Sequence, residues 1–390
     1  MRLSRRINAI TEDGSDGWEI LYRSRAMIAD GHDIVELTIG EHDHKTNPLI
    51  MDALEASLRG GNTGYAAVPG SRGLREAVAE RVEASTGVPT SSKNVIVTTG
   101  GQAALFAAHL ALLDEGEVGL YTDPYYATYP GGIRSLGARA VPVPTASEHG
   151  FLPQRDVLEP LAKDARSLLI NSPNNPTGAV YPMETMQMIV DVCQQNEVGL
   201  ISDEVYDTMV WDGEHISPRA LPGMADNCFV IGSMSKSHAM TGWRVGWVIG
   251  PEEAIERILD LSTINTYGVP GFIQDAAEYA LREGTDIEVE VAEVFRRRMA
   301  RVQAVLAGQN TVRMIPADGA MYMMLDIRST GLSGDEFADR LLDERAIAVM
   351  PGESFGASAA GHLRVALTIE DDKLVAAVEE LVRFAADLQG

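Results

Sequence analysis

The chain has 390 residues, 45% of them hydrophobic and 23% charged, a composition that builds a globular core rather than a disordered segment. Acidic side chains outnumber basic ones 56 to 32, and the formal charge of −24 argues against nucleic acid or an anionic membrane as partner. No stretch approaches the ~18 apolar residues of a membrane span, the N-terminus has no apolar leader core, and Cys193 and Cys228 lie far apart without metal or disulfide spacing, so a cytoplasmic protein with no metal site is expected.

In chain order, the first 45 or so residues end in "GEHDH", with His42 and His44 close together, and "NTGYAAVPGSRGLREAVAE" follows from residue 62. From about residue 94 to 250, apolar runs alternate with helical patterns. The runs are "NVIVTTGG", "EVGLYTDPYY", "SLLINSPNNPTG", "VGLISDEVY", "NCFVIGSMSK" and "RVGWVIG". Short uninterrupted apolar runs separated by helices such as "QAALFAAHLALL" predict a mostly parallel sheet covered on both faces, an α/β fold. Beyond about residue 285 a charged helix precedes "GAMYMMLDI", "AIAVMPG" and "HLRVALT", which predicts a smaller α/β domain that the N-terminal segment joins. The expected division is 46–284 for the large domain, and 1–45 with 285–390 for the small one.

Polar residues cluster just after the apolar runs, at the carboxyl ends of strands, where ligands of open α/β sheets gather. "VTTGGQAAL" turns a strand into a helix through Gly100 and Gly101, and the free N–H groups there suit an anion such as a phosphate. The steric need for glycine in such a turn explains the pair equally well. "GSMSKS" lacks the glycine that precedes a P-loop lysine, so Lys236 is not one. A partly desolvated lysine is instead suited to forming an imine with a carbonyl. Arg244 can hold a phosphate, Ser233 and Ser235 add hydroxyls, Asp203 can keep a pyridine nitrogen protonated, and Asn175 and Tyr206 can bond a phenolic oxygen. Together these meet the requirements of pyridoxal phosphate, with Tyr125 in "DPYYATYP" able to stack on its ring or to serve only as wall.

These motifs resemble those of class I aminotransferases, pyridoxal-phosphate fold type I, in the aspartate aminotransferase superfamily. "SMSKSHAMTGWRVGW", "NSPNNPTG", "SDEVY", the Tyr65 to Arg75 block and "HLRVALT" occur in the family's order, and the likeness runs from about residue 30 to the C-terminus. The resemblance implies that Lys236 forms the Schiff base with pyridoxal 5'-phosphate and carries the substrate Cα proton. It implies that Asp203 pairs with the pyridinium and that Asn175 and Tyr206 contact the phenolic oxygen. Gly101, Gln102, Ser233 and Arg244 would form the phosphate cup, Arg364 would clamp the substrate carboxylate, and Gly40 would offer a backbone contact near it. Tyr65 would reach the neighbouring subunit's cofactor, which implies a homodimer. The activity implied is transfer of an amino group from an α-amino acid to a 2-oxo acid. A carbon–sulfur β-lyase on the same scaffold, or a non-catalytic regulatory module, are the alternatives.

Two departures bear on substrate. The family often reads G-E-P-D-F where this chain has "GEHDH", which makes the substrate-side loop more polar, although imidazoles that are solvated or paired with neighbouring carboxylates are the plainest reading of His42 and His44. Residues 262 to 274 hold no arginine that could receive a second substrate carboxylate.

Overall fold

Buried on both faces, a strand needs no polar alternation, and that is why the central runs read as continuous apolar sequence. The computed structural model describes residues 1–11 and 17–389. Among them the strands are β1 (Val35–Leu37), β2 (Val95–Thr98), β3 (Val118–Asp123), β4 (Arg139–Pro144), β5 (Ser167–Asn171) and β6 (Gly199–Asp203). They continue with β7 (Cys228–Ser233), β8 (Gly246–Ile249), β9 (Arg313–Met314), β10 (Tyr322–Asp326), β11 (Ile347–Pro351) and β12 (His362–Ala366).

Seven of them form one sheet in the order β2-β8-β7-β6-β5-β3-β4. All run parallel except β8, which is antiparallel to both β2 and β7. Side chains alternate between two cores: Val95, Leu168, Leu200 and Val230 face one, and Ile96, Leu169, Ile201 and Ile231 face the other. All six runs read from the sequence are strands of this sheet. The seventh, β4, is an edge strand containing Pro142 and Pro144, which an edge accepts because one side of its backbone needs no ladder partner.

The other five strands form a second sheet, β1-β11-β12-β10-β9. β1 runs parallel to β11 in the register Val35↔Ile347, and the remaining pairs are antiparallel. The helix Thr285–Leu306 packs against the last helix, Asp371–Asp387. One of its side chains, Arg298, is 4% exposed and donates to Asp43 through both terminal nitrogens and to Asp371 through Nε at 3.0 Å. The N-terminal loop, this helix and the C-terminal helix are thereby tied by one guanidinium. Cys193 and Cys228 are buried and free, and no described helix is long and apolar enough to cross a membrane.

Candidate active site

At the carboxyl edge of the larger sheet a cavity of about 430 Å³ opens toward the smaller one. Its lining includes Gly40, Gly101, Gln102, Asn175, Asp203, Tyr206, Ser233, Ser235, Lys236, Arg244 and Arg364, so most of the residues singled out in the sequence meet in one place.

The lysine is placed by the end of β7. Ser233 caps the short helix Met234–Ser237, its hydroxyl accepting from the Ser235 amide at 3.1 Å, and Lys236 sits on the turn so formed. Lys236 Nζ donates to the carbonyl of Gly40. No side chain fits at Gly40, because a Cβ there would collide with the Tyr322 hydroxyl.

Asp203 ends β6. Its Oδ2 accepts from the Tyr129 hydroxyl at 2.6 Å, and burial pushes its pKa up to about 6, against the pull of the Tyr129 and Val205 donors. Asn171, at the end of β5, donates to the Asp203 carbonyl at 2.8 Å and accepts from the Asn175 amide at 2.7 Å, so one amide side chain sets both neighbours. Tyr206 is buried, with its hydroxyl 3.2 Å from that of Tyr322.

Gly100, at φ 83, turns β2 into the helix Gly101–Leu112, a backbone region that favours glycine. A Cβ there would strike the Arg244 guanidinium, so the glycine also leaves room for the cation beside the helix N-terminus. Arg244 precedes β8, and because β8 runs backwards its start lies at the same edge as the ends of β6 and β7. Its Nη1 donates to the Thr241 carbonyl at 2.8 Å. Amide groups of a helix start and a guanidinium thus converge as an anion would require.

Arg364 comes from β12, in the middle of the smaller sheet, and is 1% exposed. Nη1 donates to Asn175 Oδ1 at 3.0 Å and Nη2 to the Thr38 carbonyl, while Nε has no partner. The guanidinium carbon lies 4.3 Å from the Phe355 ring centre and 4.6 Å from that of Tyr322, and burial lowers its pKa. No carboxylate pairs with it among the described residues. A buried cation in that state has its charge available to an anion that arrives from outside.

Two expected residues lie elsewhere. Tyr125 is not in this cavity; its amide donates to the Phe355 carbonyl at 2.9 Å and its ring stands edge-on to Tyr121. The next residue, Tyr126, lines the cavity instead. Tyr65 is 93% exposed, with its ring 5.1 Å from that of Tyr267. Sequence reasoning missed Trp18, Tyr126, Tyr129, Asn171 and Tyr322. Of these, Asn171 carried a signal, since it ends an apolar run as Asp203 does.

A second cavity, of about 1170 Å³, adjoins the first and shares Trp18, Tyr22, Gln102, Leu105 and Tyr129 with it. Among the described residues Glu19, Asp335, Asp339 and Glu353 line it, against a single arginine, Arg134.

Fold and site together define an α/β protein whose larger sheet gathers a lysine, a buried acid and a buried guanidinium in one cavity at its carboxyl edge. Residues 32–381 match the family described as aminotransferase class I and II, and the chain belongs to that family. It is similar to the arginine–pyruvate transaminase of Pseudomonas aeruginosa, 42% identical over 100% of both chains, and to the aspartate/prephenate aminotransferase of Thermus thermophilus, 34% identical over 98% of each. A solved structure of a single mutant of Thermus thermophilus aspartate aminotransferase superposes with a TM-score of 0.92 at 32% identity, covering 98% of this chain and 100% of that one. The protein is an aminotransferase that moves an amino group between an amino acid and a 2-oxo acid.

Proposed function

We propose that the protein works with pyridoxal 5'-phosphate and takes as donor an amino acid with a cationic side chain. One observation carries the first part: Lys236, the buried acid Asp203 and the carboxylate-free guanidinium of Arg364 line a single cavity. The residues fit the cofactor's needs. Lys236 offers the amine for its aldehyde, Asp203 a partner for its ring nitrogen, Tyr206 and Asn175 donors for its phenolic oxygen, and Arg244, Ser233, Gly101 and Gln102 the phosphate cup. Tyr126 takes the ring-facing role first given to Tyr125.

When bound, the cofactor supplies an electron sink for the bond broken at the substrate Cα. The chain supplies the rest. Arg364 orients the substrate by its α-carboxylate, with Asn175 holding the guanidinium in plane. Lys236 Nζ, once a free amine, takes the Cα proton. Asp203 is useful as an anion, and a cationic ring nitrogen beside it offsets the burial that otherwise favours its protonated form.

The donor class has two supports. Lys236, Arg244 and Arg364 are the only cations lining the first cavity among the described residues, and each already has a role, so none remains for a side-chain carboxylate. The adjoining cavity is acidic, and a relative similar over its whole length is an arginine–pyruvate transaminase. Pyruvate is accordingly the acceptor proposed.

We further propose the division into 46–284 and 1–45 with 285–390, a cytoplasmic location, and a homodimer in which the exposed Tyr65 enters the partner's site. The test is a visible spectrum of purified protein during addition of single amino acids without 2-oxo acid. Loss of the imine band with arginine but not aspartate is the expected result; the reverse order overturns the donor class. Lys236→Ala should lack the band and all turnover, and retained transamination would refute the lysine's role.

A further inference from the structure

The loop after β1 touches Lys236 twice. Gly40 accepts from the lysine's Nζ, and two residues later His42 Nε2 lies 2.9 Å from the lysine's main-chain carbonyl. A carbonyl only accepts, so Nε2 carries the proton and Nδ1 the lone pair; Nδ1 is buried without a partner. The ring has little freedom to turn. It stands edge-on to His44, 5.0 Å between centres, and to Phe295 of the helix Thr285–Leu306 at 5.4 Å.

The loop is itself held on both sides. Asp43 pairs with Arg298, while Thr46 donates to the Ala239 carbonyl at 2.7 Å and accepts from Trp243 Nε1 at 3.1 Å. Segment 40–46 is therefore laced along segment 236–243, and His42 is the stitch at the lysine.

Burial drives the pKa of His42 down to about 3, and the charges of Lys236 and His44 act the same way, with the hydrogen bond to the Lys236 carbonyl and the charge of Asp43 opposing them. The imidazole is neutral wherever an aminotransferase works, so it donates without placing a second cation beside Lys236.

We propose that His42 is a positioning residue for Lys236, fixing the lysine's backbone so that its amine stays registered on the Gly40 loop. The side chain between Cα and Nζ has four rotatable bonds, and holding both ends narrows its range. A proline in this place, as in the family pattern G-E-P-D-F, has no side-chain donor, so the device belongs to this chain's "GEHDH". The inference rests on Lys236 being the reacting amine.

The test compares His42→Ala with His42→Gln, whose amide nitrogen reaches about as far as Nε2 and can donate to the same carbonyl. In the full chain freed of cofactor, Lys236 is labelled with an amine-selective reagent at fixed pH and followed by peptide mass spectrometry. His42→Ala should label several-fold faster than wild type, and His42→Gln at close to the wild-type rate. In the holoenzyme, His42→Ala should lower kcat about tenfold with donor KM within about twofold, and His42→Gln should restore most of the loss. Equal behaviour of both variants, whether both wild-type or both impaired, would overturn the proposal. If His42→Ala does not fold, His42→Phe fills the space without a donor and replaces it. Turnover surviving Lys236→Ala would instead refute the reading of the site, a result the labelling rates do not mimic.

Discussion

Asp203 is 4% exposed with a pKa near 6, and the ordinary value in an unfolded chain is 3.8. Between those values the folded cofactor-free protein binds more protons than the unfolded one, so this group makes stability fall as pH rises through 6. Ionised and without its cationic ring partner, it costs on the order of 3 kcal/mol. Asp203→Asn should therefore raise the Tm of the cofactor-free protein at pH 8 while abolishing activity, and an unchanged Tm would show the carboxylate to be better solvated than its burial implies. Arg364→Lys replaces a planar fork with a point charge. The expected effect is a rise in donor KM of about 10- to 100-fold, or ~1.4–3 kcal/mol, with kcat less affected; an unchanged KM would move the carboxylate clamp elsewhere. Lys236 and Asp203 were legible in the sequence because a charge at the end of a buried strand demands a reason. Tyr129 and Tyr322 were not, since the first enters from a helix and the second heads a buried strand in the other sheet. The sequence pointed to Tyr125, whereas Tyr126 lines the first cavity and Tyr125 the adjoining one. Residues of an irregular loop follow no side-chain period, so nothing local says which of two neighbours faces the cavity.

Elements of the larger sheet were legible for a simple reason: double burial erases the polar alternation that would mark other strands, leaving runs such as "SLLIN". β4 was lost because prolines argue against a strand anywhere but an edge, and β1 because three residues make no pattern. The helix Thr285–Leu306 was plain from its length and charge, but not its task. Through Arg298 it holds Asp43 and Asp371, and both carboxyls lie below the usual range. For Asp43 burial opposes the arginine's hydrogen bond, and for Asp371 the hydrogen bond from Arg297 leads, joined by that of Arg298. Stability from these pairs is fully present above the ordinary carboxylate pKa and is lost as pH falls below it. Arg298→Met should cost about 2–4 kcal/mol, toward the lower figure because Asp43 keeps contact with solvent. Thermal unfolding at pH 7 would register this as a Tm lower by several degrees, and a Tm unchanged at that pH would mean the three segments are held by packing alone.

For the whole molecule, the exposed pair Tyr65 and Tyr267 marks where the proposed second copy would sit. Light scattering should give twice the chain mass of 42.1 kDa. Tyr65→Phe should leave that mass unchanged and weaken cofactor retention about tenfold, since only the hydroxyl is lost; a monomeric mass at working concentration would remove Tyr65 from the site.

The pairing of β1 with β11 has a consequence for how the protein is made. Val35 leaves the ribosome long before Ile347, its partner in the register. At ~5–20 residues per second the interval is roughly 15–60 s. During it the first strand has no sheet to join, and the Gly40 loop must wait for Lys236 as well. The N-terminal segment thus spends most of translation without the strand it pairs with in the folded protein, and an acidic chain that repels its own copies suits that interval.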